Sequence, residues 1–172
     1  MSTAVVVGNP KPASRTLRVA LAVADALAQR LTGTSSGPDS DRLVVDLAEV
    51  APELFDPASQ RVNDLVQAVA ASELIIVASP TFKATYTGLL KSFFDRYGTN
   101  ALSPVVAVPV MTGAGPIHAL AAEVHLRSLL VELGASTPTR SLYVTEPQFD
   151  DLDAVIGPWA DAASLLLARA LS

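Results

Sequence analysis

Three short segments gather the side chains and the accessible main chain that can hold a ligand: GNPKPASRT (8–16), SPTFKAT (79–85) and MTGAGPIH (111–118). Each follows an apolar run, and each is rich in Gly, Pro, Ser and Thr. In the first, Gly8 gives a tight exit from the run, Pro10 and Pro12 stiffen the path, and Ser14 opens an amphipathic pattern as an N-cap. The unpaired N–H groups of a helix's first turn, with roughly half a positive charge, make an anion site there. Arg15 and the Thr16 hydroxyl add donors, and Lys11 adds charge. A plain helix cap beside two solvated cations has the same composition, so the place of the segment in the fold has to decide between them. In the second segment Pro80 restricts the turn, Thr81 and Thr85 offer hydroxyls, and Phe82 offers a ring edge or face. In the third, Thr112, Gly113, Ala114 and Gly115 let the main chain approach a flat ligand, so that N–H groups reach polar ring atoms. Glycine-rich turns of that kind also occur with no ligand.

Other chemistries lack their residues. Gly113 and Gly115 make G-x-G, but His118 stands where the dinucleotide fingerprint needs its third glycine, and the strand position is wrong. No G-x-x-x-x-G-K-[ST] occurs, and TGLLKS lacks the first glycine and lies in a helical pattern. A phosphorylatable receiver needs an Asp after the third strand and an acidic pair after the first, where this chain has Ser79 and Asn9. G-x-S-x-G is absent. The two histidines, His118 and His125, are seven residues apart in one helical pattern, roughly 10 Å along its axis, so one metal ion does not take both. Trp159 reads as core or interface filler. Phe93 and Phe94 point in different directions, one to the core and the other to a neighbouring subunit, or both into a helix covered on two sides.

The elements that carry these loops alternate between short apolar runs and amphipathic stretches, the pattern of parallel strands joined by crossover helices. Strands are expected at 3–8, 42–47, 73–79, 103–113 and 139–146. Helices are expected from Ser14 to a stop at Gly33, and over 59–72, 86–98, 116–134 and 152–171, the last with a possible true start at Pro158. TSSGPDSD (34–41) is the most loop-like stretch. Five βα units in 172 residues with no internal repeat imply one domain: a three-layer α/β sandwich around a five-stranded parallel sheet of order 2-1-3-4-5. Such a sheet binds ligands at the carboxyl ends of strands one, three and four, beside the switch in strand order. The three segments fall there, which favours the phosphate reading of the first.

Composition narrows the partners. Half of the residues are apolar but only 5% are aromatic, so Ala, Val and Leu build a core covered on both sheet faces. The net charge of −5 and the absence of a basic patch argue against nucleic acid. No cysteine is present, which fits a reducing interior. No apolar run reaches the roughly 18 residues of a membrane span, and MSTAVVVG enters a strand without a signal-peptide pattern. The expectation is a soluble cytoplasmic protein.

A planar, phosphorylated, mostly uncharged cofactor matches the three loops together. FMN has that shape and carries redox chemistry that a site without acids, bases or nucleophiles lacks. With those residues in view, the chain resembles the NAD(P)H-dependent FMN reductases, a flavodoxin-like family that includes reductase components of two-component alkanesulfonate monooxygenases. SPTFKATYTGLLKSFFD is similar to the family's S/T-P-x-Y-K-x-x-x-T-G-x-L-K-x-F-x-D segment, GNPKPASRT to its G-x-P-x-x-x-S-[RK]-T loop, and MTGAGPIHAL to its T-G-G-x-x-x-H-x-L segment. The likeness runs over about residues 4 to 145. It implies that Asn9, Ser14, Arg15 and Thr16 hold the flavin phosphate, that Pro80, Thr81, Phe82 and Lys83 border the isoalloxazine, and that Thr112, Gly113 and Ala114 meet its pyrimidine edge. Phe82 replaces a frequent tyrosine and Ala114 the second glycine. The implied activity is hydride transfer from NADH or NADPH to FMN, with no catalytic side chain, for a partner monooxygenase. Alternatives are an FMN-containing quinone, azo-dye or chromate reductase, or a flavodoxin-like electron carrier. A homodimer or homotetramer through YTGLLKSFFDRYG and its neighbour is implied as well.

Overall fold

The computed structural model describes residues 1–32 and 42–172. The expected helix stop at Gly33 and the loop 34–41 lie outside these residues. Strands β1 (Thr3–Val7), β2 (Leu43–Asp46), β3 (Leu74–Pro80), β4 (Val106–Gly113) and β5 (Leu142–Thr145) form one parallel sheet of order β2-β1-β3-β4-β5. Helices α1 (Arg15–Thr32) and α5 (Leu152–Ala170) cover one face. The other carries α2 (Gln60–Ala70), α3 (Gly88–Phe94) and α4 (Arg127–Glu132). The near-continuous apolar strands follow from this double cover. Along β1, Ala4 and Val6 enter one core while Val5 and Val7 enter the other. No helix among the described residues is long and apolar enough to cross a membrane.

Local signals decide the element ends. Ser14 caps α1 by accepting the Leu17 N–H at 3.2 Å, and Ser59 caps α2 by accepting the Val62 N–H at 3.3 Å. The helix expected over 86–98 is confined to α3: the Thr87 hydroxyl sets its start by accepting the Leu90 N–H at 3.1 Å while donating to the Gly8 carbonyl at 2.5 Å, and tighter bonds from the Arg96 and Tyr97 N–H groups to the Phe93 and Phe94 carbonyls, each 3.2 Å, end it. Phe93 and Phe94 are both buried inside the chain, so neither faces a neighbour. Trp159 is partly buried against the α1–α5 core and donates its indole N–H to the Arg140 carbonyl at 3.0 Å.

One helix expectation is corrected, and another, the helix over 152–171, is met with its alternative start at Pro158 set aside. The pattern over 116–134 is not one α-helix: a 3-10 turn (Pro116–His118) is followed by a π-helical stretch (Ala122–Leu126) that runs into α4. Ala122, Leu126 and Leu130 all face the core across the π-to-α junction. The last helix starts at Leu152, well before Pro158, because Asp151 accepts the Ala154 N–H at 3.2 Å and caps it. Pro158 sits inside α5 on an exposed position, where the missing N–H costs a helix bond but no core contact.

Pro109 also lies within a strand. The β4–β5 ladder begins only at Val110↔Leu142, and the preceding contact is the isolated bridge Val106↔Ser136. Ala107 donates to the Ser136 carbonyl at 2.7 Å, so the nitrogen two residues on faces the same side, where residues 137–141 leave the sheet. A donor is not needed there.

That bowed segment is held by one ion pair. Arg127 donates to Glu123 at 2.6 Å, to the Thr137 carbonyl at 2.5 Å and to the Thr139 carbonyl, while Glu123 accepts the Ser141 N–H at 2.6 Å. Burial pushes the Glu123 carboxyl up, but the Arg127 and Ser141 bonds outweigh it and hold it below its ordinary value of 4.5. The carboxylate's stabilisation is therefore fully present above 4.5 and is lost as the pH falls through the lowered value. Glu123→Gln is expected to cost about 1 kcal/mol at pH 7. In urea titrations the gap to wild type should close as the pH is lowered below 4.5, and a gap constant with pH would contradict this account.

Candidate functional site

The loops after β1, β3 and β4 meet at the carboxyl rim, as the 2-1-3-4-5 order requires. They enclose a cleft of about 430 Å³. Ten of the eleven expected residues line it: Asn9, Ser14, Arg15, Thr16, Pro80, Thr81, Phe82, Thr112, Gly113 and Ala114. Lys83 is not among the lining residues; it lies in the exposed turn beyond Phe82. His118 and His125 are exposed and away from the cleft lining.

At one end the first loop is folded by its own chain. The Asn9 carboxamide oxygen accepts the Lys11 N–H at 2.9 Å. Asp46, at the end of β2, accepts the Ala13 N–H at 3.0 Å and so holds Ala13 at φ 49, a conformation uncommon outside glycine. Those contacts aim the first turn of α1 at the cleft, with its unpaired N–H groups and the Arg15 guanidinium at the mouth. Arg15 pairs with Glu146 at 2.6 Å and lies 5.0 Å over the Phe149 ring. Glu146, Phe149, Lys11 and Ala13 complete the lining.

A relay of hydroxyls joins this end to the rest. The Asn9 amide donates to Thr16 Oγ1 at 3.1 Å, and Thr16 Oγ1 shares a hydrogen with Thr112 Oγ1 at 3.0 Å. Thr16 and Thr112 are buried. The Thr16 hydroxyl is thus a peg between two loops as well as a donor. Thr81 is tied to the third loop through its N–H to the Thr112 carbonyl at 2.7 Å and through its hydroxyl to Tyr143 at 3.3 Å. Tyr143 occupies space that only a glycine at 113 leaves open, since a Cβ there would lie 2.0 Å from the phenol oxygen. Phe82 and Thr85 exchange backbone hydrogen bonds of 2.8 and 3.2 Å across Lys83 and Ala84. Both turn residues have positive φ, 51 and 66, the backbone of a type I′ hairpin. That turn presents the Phe82 ring, 52% exposed, at the mouth.

The donor set suits an anion at the α1 end and a flat, polar, uncharged body between Thr81, Phe82 and the Thr112–Ala114 main chain. FMN fits that division of chemistry. The sequence reading missed Glu146, Phe149 and Asp46. They come from the carboxyl ends of β5 and β2, and only the strand order brings those ends to the rim.

A parallel 2-1-3-4-5 sheet covered on both faces, with its cleft at the carboxyl rim, places the protein in the flavodoxin-like α/β class. Solved structures agree: the apo form of the NADH:FMN oxidoreductase EmoB superposes with a TM-score of 0.81 at 28% identity, over 95% of this chain and 88% of that one. The FMN reductase (NADPH) of Pseudomonas aeruginosa is 30% identical over 95% of this chain and 86% of its own length. The NADH-dependent FMN reductase SfnF of Pseudomonas putida is 32% identical over 85% and 78%. The family model described as NADPH-dependent FMN reductase matches residues 1–149, and the chain belongs to that family. The expected class, an NAD(P)H-dependent oxidoreductase that uses FMN, is therefore the class of this protein.

Proposed function

We propose that Arg15 and the first turn of α1 hold the FMN phosphate, with Asn9, Ser14 and Thr16 as the frame behind them. Pro80, Thr81 and Phe82 border the ring, Lys83 standing outside the cleft in the turn beyond them, and Thr112, Gly113 and Ala114 meet its polar edge. The observation that carries this reading is the convergence of ten expected residues from three loops on one cleft, whose volume lies in the range of about 300–1,000 Å³ usual for small-molecule sites. When bound, FMN supplies the hydride-accepting chemistry. The chain's part is orientation: the anion end fixes the tail, and the pegged loops fix the ring walls, which is where proximity gains arise. The half-exposed Phe82 offers an apolar surface at the mouth for a second planar ring. The reading extends to a flavin-using monooxygenase as recipient of the reduced flavin, on the strength of the loop motifs shared with reductase components of two-component monooxygenases.

Purified protein given NADH or NADPH with free FMN, followed at the nicotinamide absorbance, is expected to oxidise the nucleotide at a rate that depends on added FMN. Oxidation that accelerates only with a quinone or azo dye supports the alternative acceptor. If neither nucleotide is consumed, the reading is wrong.

A further inference from the structure

We infer that Glu146 is a built-in competitor for Arg15 that weakens and speeds the exchange of the flavin phosphate, a role that rests on the site reading above. Glu146 follows β5 on a 3-10 turn (Glu146–Asp150) whose first residues are fixed locally: the Gln148 side chain accepts the Thr145 N–H at 2.8 Å. Two arginines of α1 fasten the turn. Arg18 donates to the Phe149 carbonyl at 2.8 Å, and Arg15 lies over the Phe149 ring while donating to Glu146 at 2.6 Å. The carboxylate is thus held in the lining of the same cleft as the α1 N-terminus.

Two consequences follow for a dianion arriving there. Its principal cationic side chain is already partnered, and a carboxylate that repels it stands beside that partner. Asp46 adds to this, because it already accepts the Ala13 N–H and so removes one main-chain donor from the loop. A guanidinium has five N–H donors and can serve carboxylate and phosphate together. Competition is therefore partial. The pair is also well exposed, 63% and 47%, so solvent and salt screen it. The balance favours a modest but directional effect: a site that binds FMN while retaining a means of releasing it.

The test compares FMN and riboflavin binding by flavin fluorescence titration in wild type, Glu146→Gln, Arg15→Ala and the double variant. Glu146→Gln is expected to tighten FMN about three- to tenfold at low salt, with riboflavin unchanged because it has no phosphate. The gain should shrink in 0.5 M salt, on the order of a 4 Å screening length, and should differ in the Arg15→Ala background, where the competition is gone and only the direct repulsion by Glu146 remains to be relieved. Stopped-flow dissociation should place the gain mainly in a slower off-rate. Unchanged or weakened FMN binding in Glu146→Gln overturns the inference while leaving the site reading intact, and so does an equal effect on riboflavin. A wild-type protein that binds no flavin overturns both.

Discussion

Gly8→Val is expected to destabilise the protein by about 3 kcal/mol and to remove flavin binding with it. Gly8 is buried where β1 gives way to the first loop, and a Cβ there would lie 2.4 Å from Leu90 Cβ and 3.1 Å from Leu90 Cα. Neither side can yield cheaply. The Gly8 N–H donates to the Ala78 carbonyl at 2.8 Å, and its carbonyl accepts from Thr87, whose hydroxyl also caps the helix carrying Leu90. Added volume must therefore separate β1 from α3, breaking a buried hydrogen bond as well as the packing. Because the first loop starts at this residue, its register against Thr112 is disturbed too. Urea denaturation reads the stability loss and fluorescence titration the binding loss. A variant with a wild-type midpoint would refute the close approach.

Arg15→Glu is expected to weaken FMN binding about 30- to 100-fold at low salt, with little change in stability. The substitution exchanges a cation for an anion beside a dianion, in a cleft that already holds Glu146. Two unit changes of charge at close range would cost more in a dry site, but Arg15 is largely exposed, and screening sets the range given. Stability should hold because an exposed pair contributes little. Riboflavin affinity should change far less than FMN affinity, and the FMN loss should fall as salt rises. Unchanged FMN affinity would remove the α1 N-terminus from the phosphate assignment.

Much of this site was legible because its determinants are local. Ser14 caps α1 as its neighbours in sequence predict, Gly8 makes the tight exit, and the parallel sheet covered on both faces follows from the alternation of apolar and amphipathic runs. The parts that escaped depend on distant partners. Glu146 and Phe149 enter the cleft because β5 ends beside β4, and nothing near them in sequence marks them as rim residues. The Thr16 hydroxyl reads as a free donor until Thr112, 96 residues away, is seen to engage it. The 116–134 pattern is helical by spacing alone. Nothing in that spacing separates the π-helical stretch at Ala122–Leu126 from an ordinary α-helix. Pro158 looks like a helix start in isolation, but Asp151 provides an earlier and better cap.

The hydroxyl relay from Asn9 through Thr16 to Thr112 has a kinetic meaning. Loops wired together in the empty protein leave little backbone freedom to freeze when a guest arrives, so encounter is spent on diffusion and not on assembling the walls. Variation among flavins of different tail should then be written in how long each one stays, since the doorway is the same for all of them.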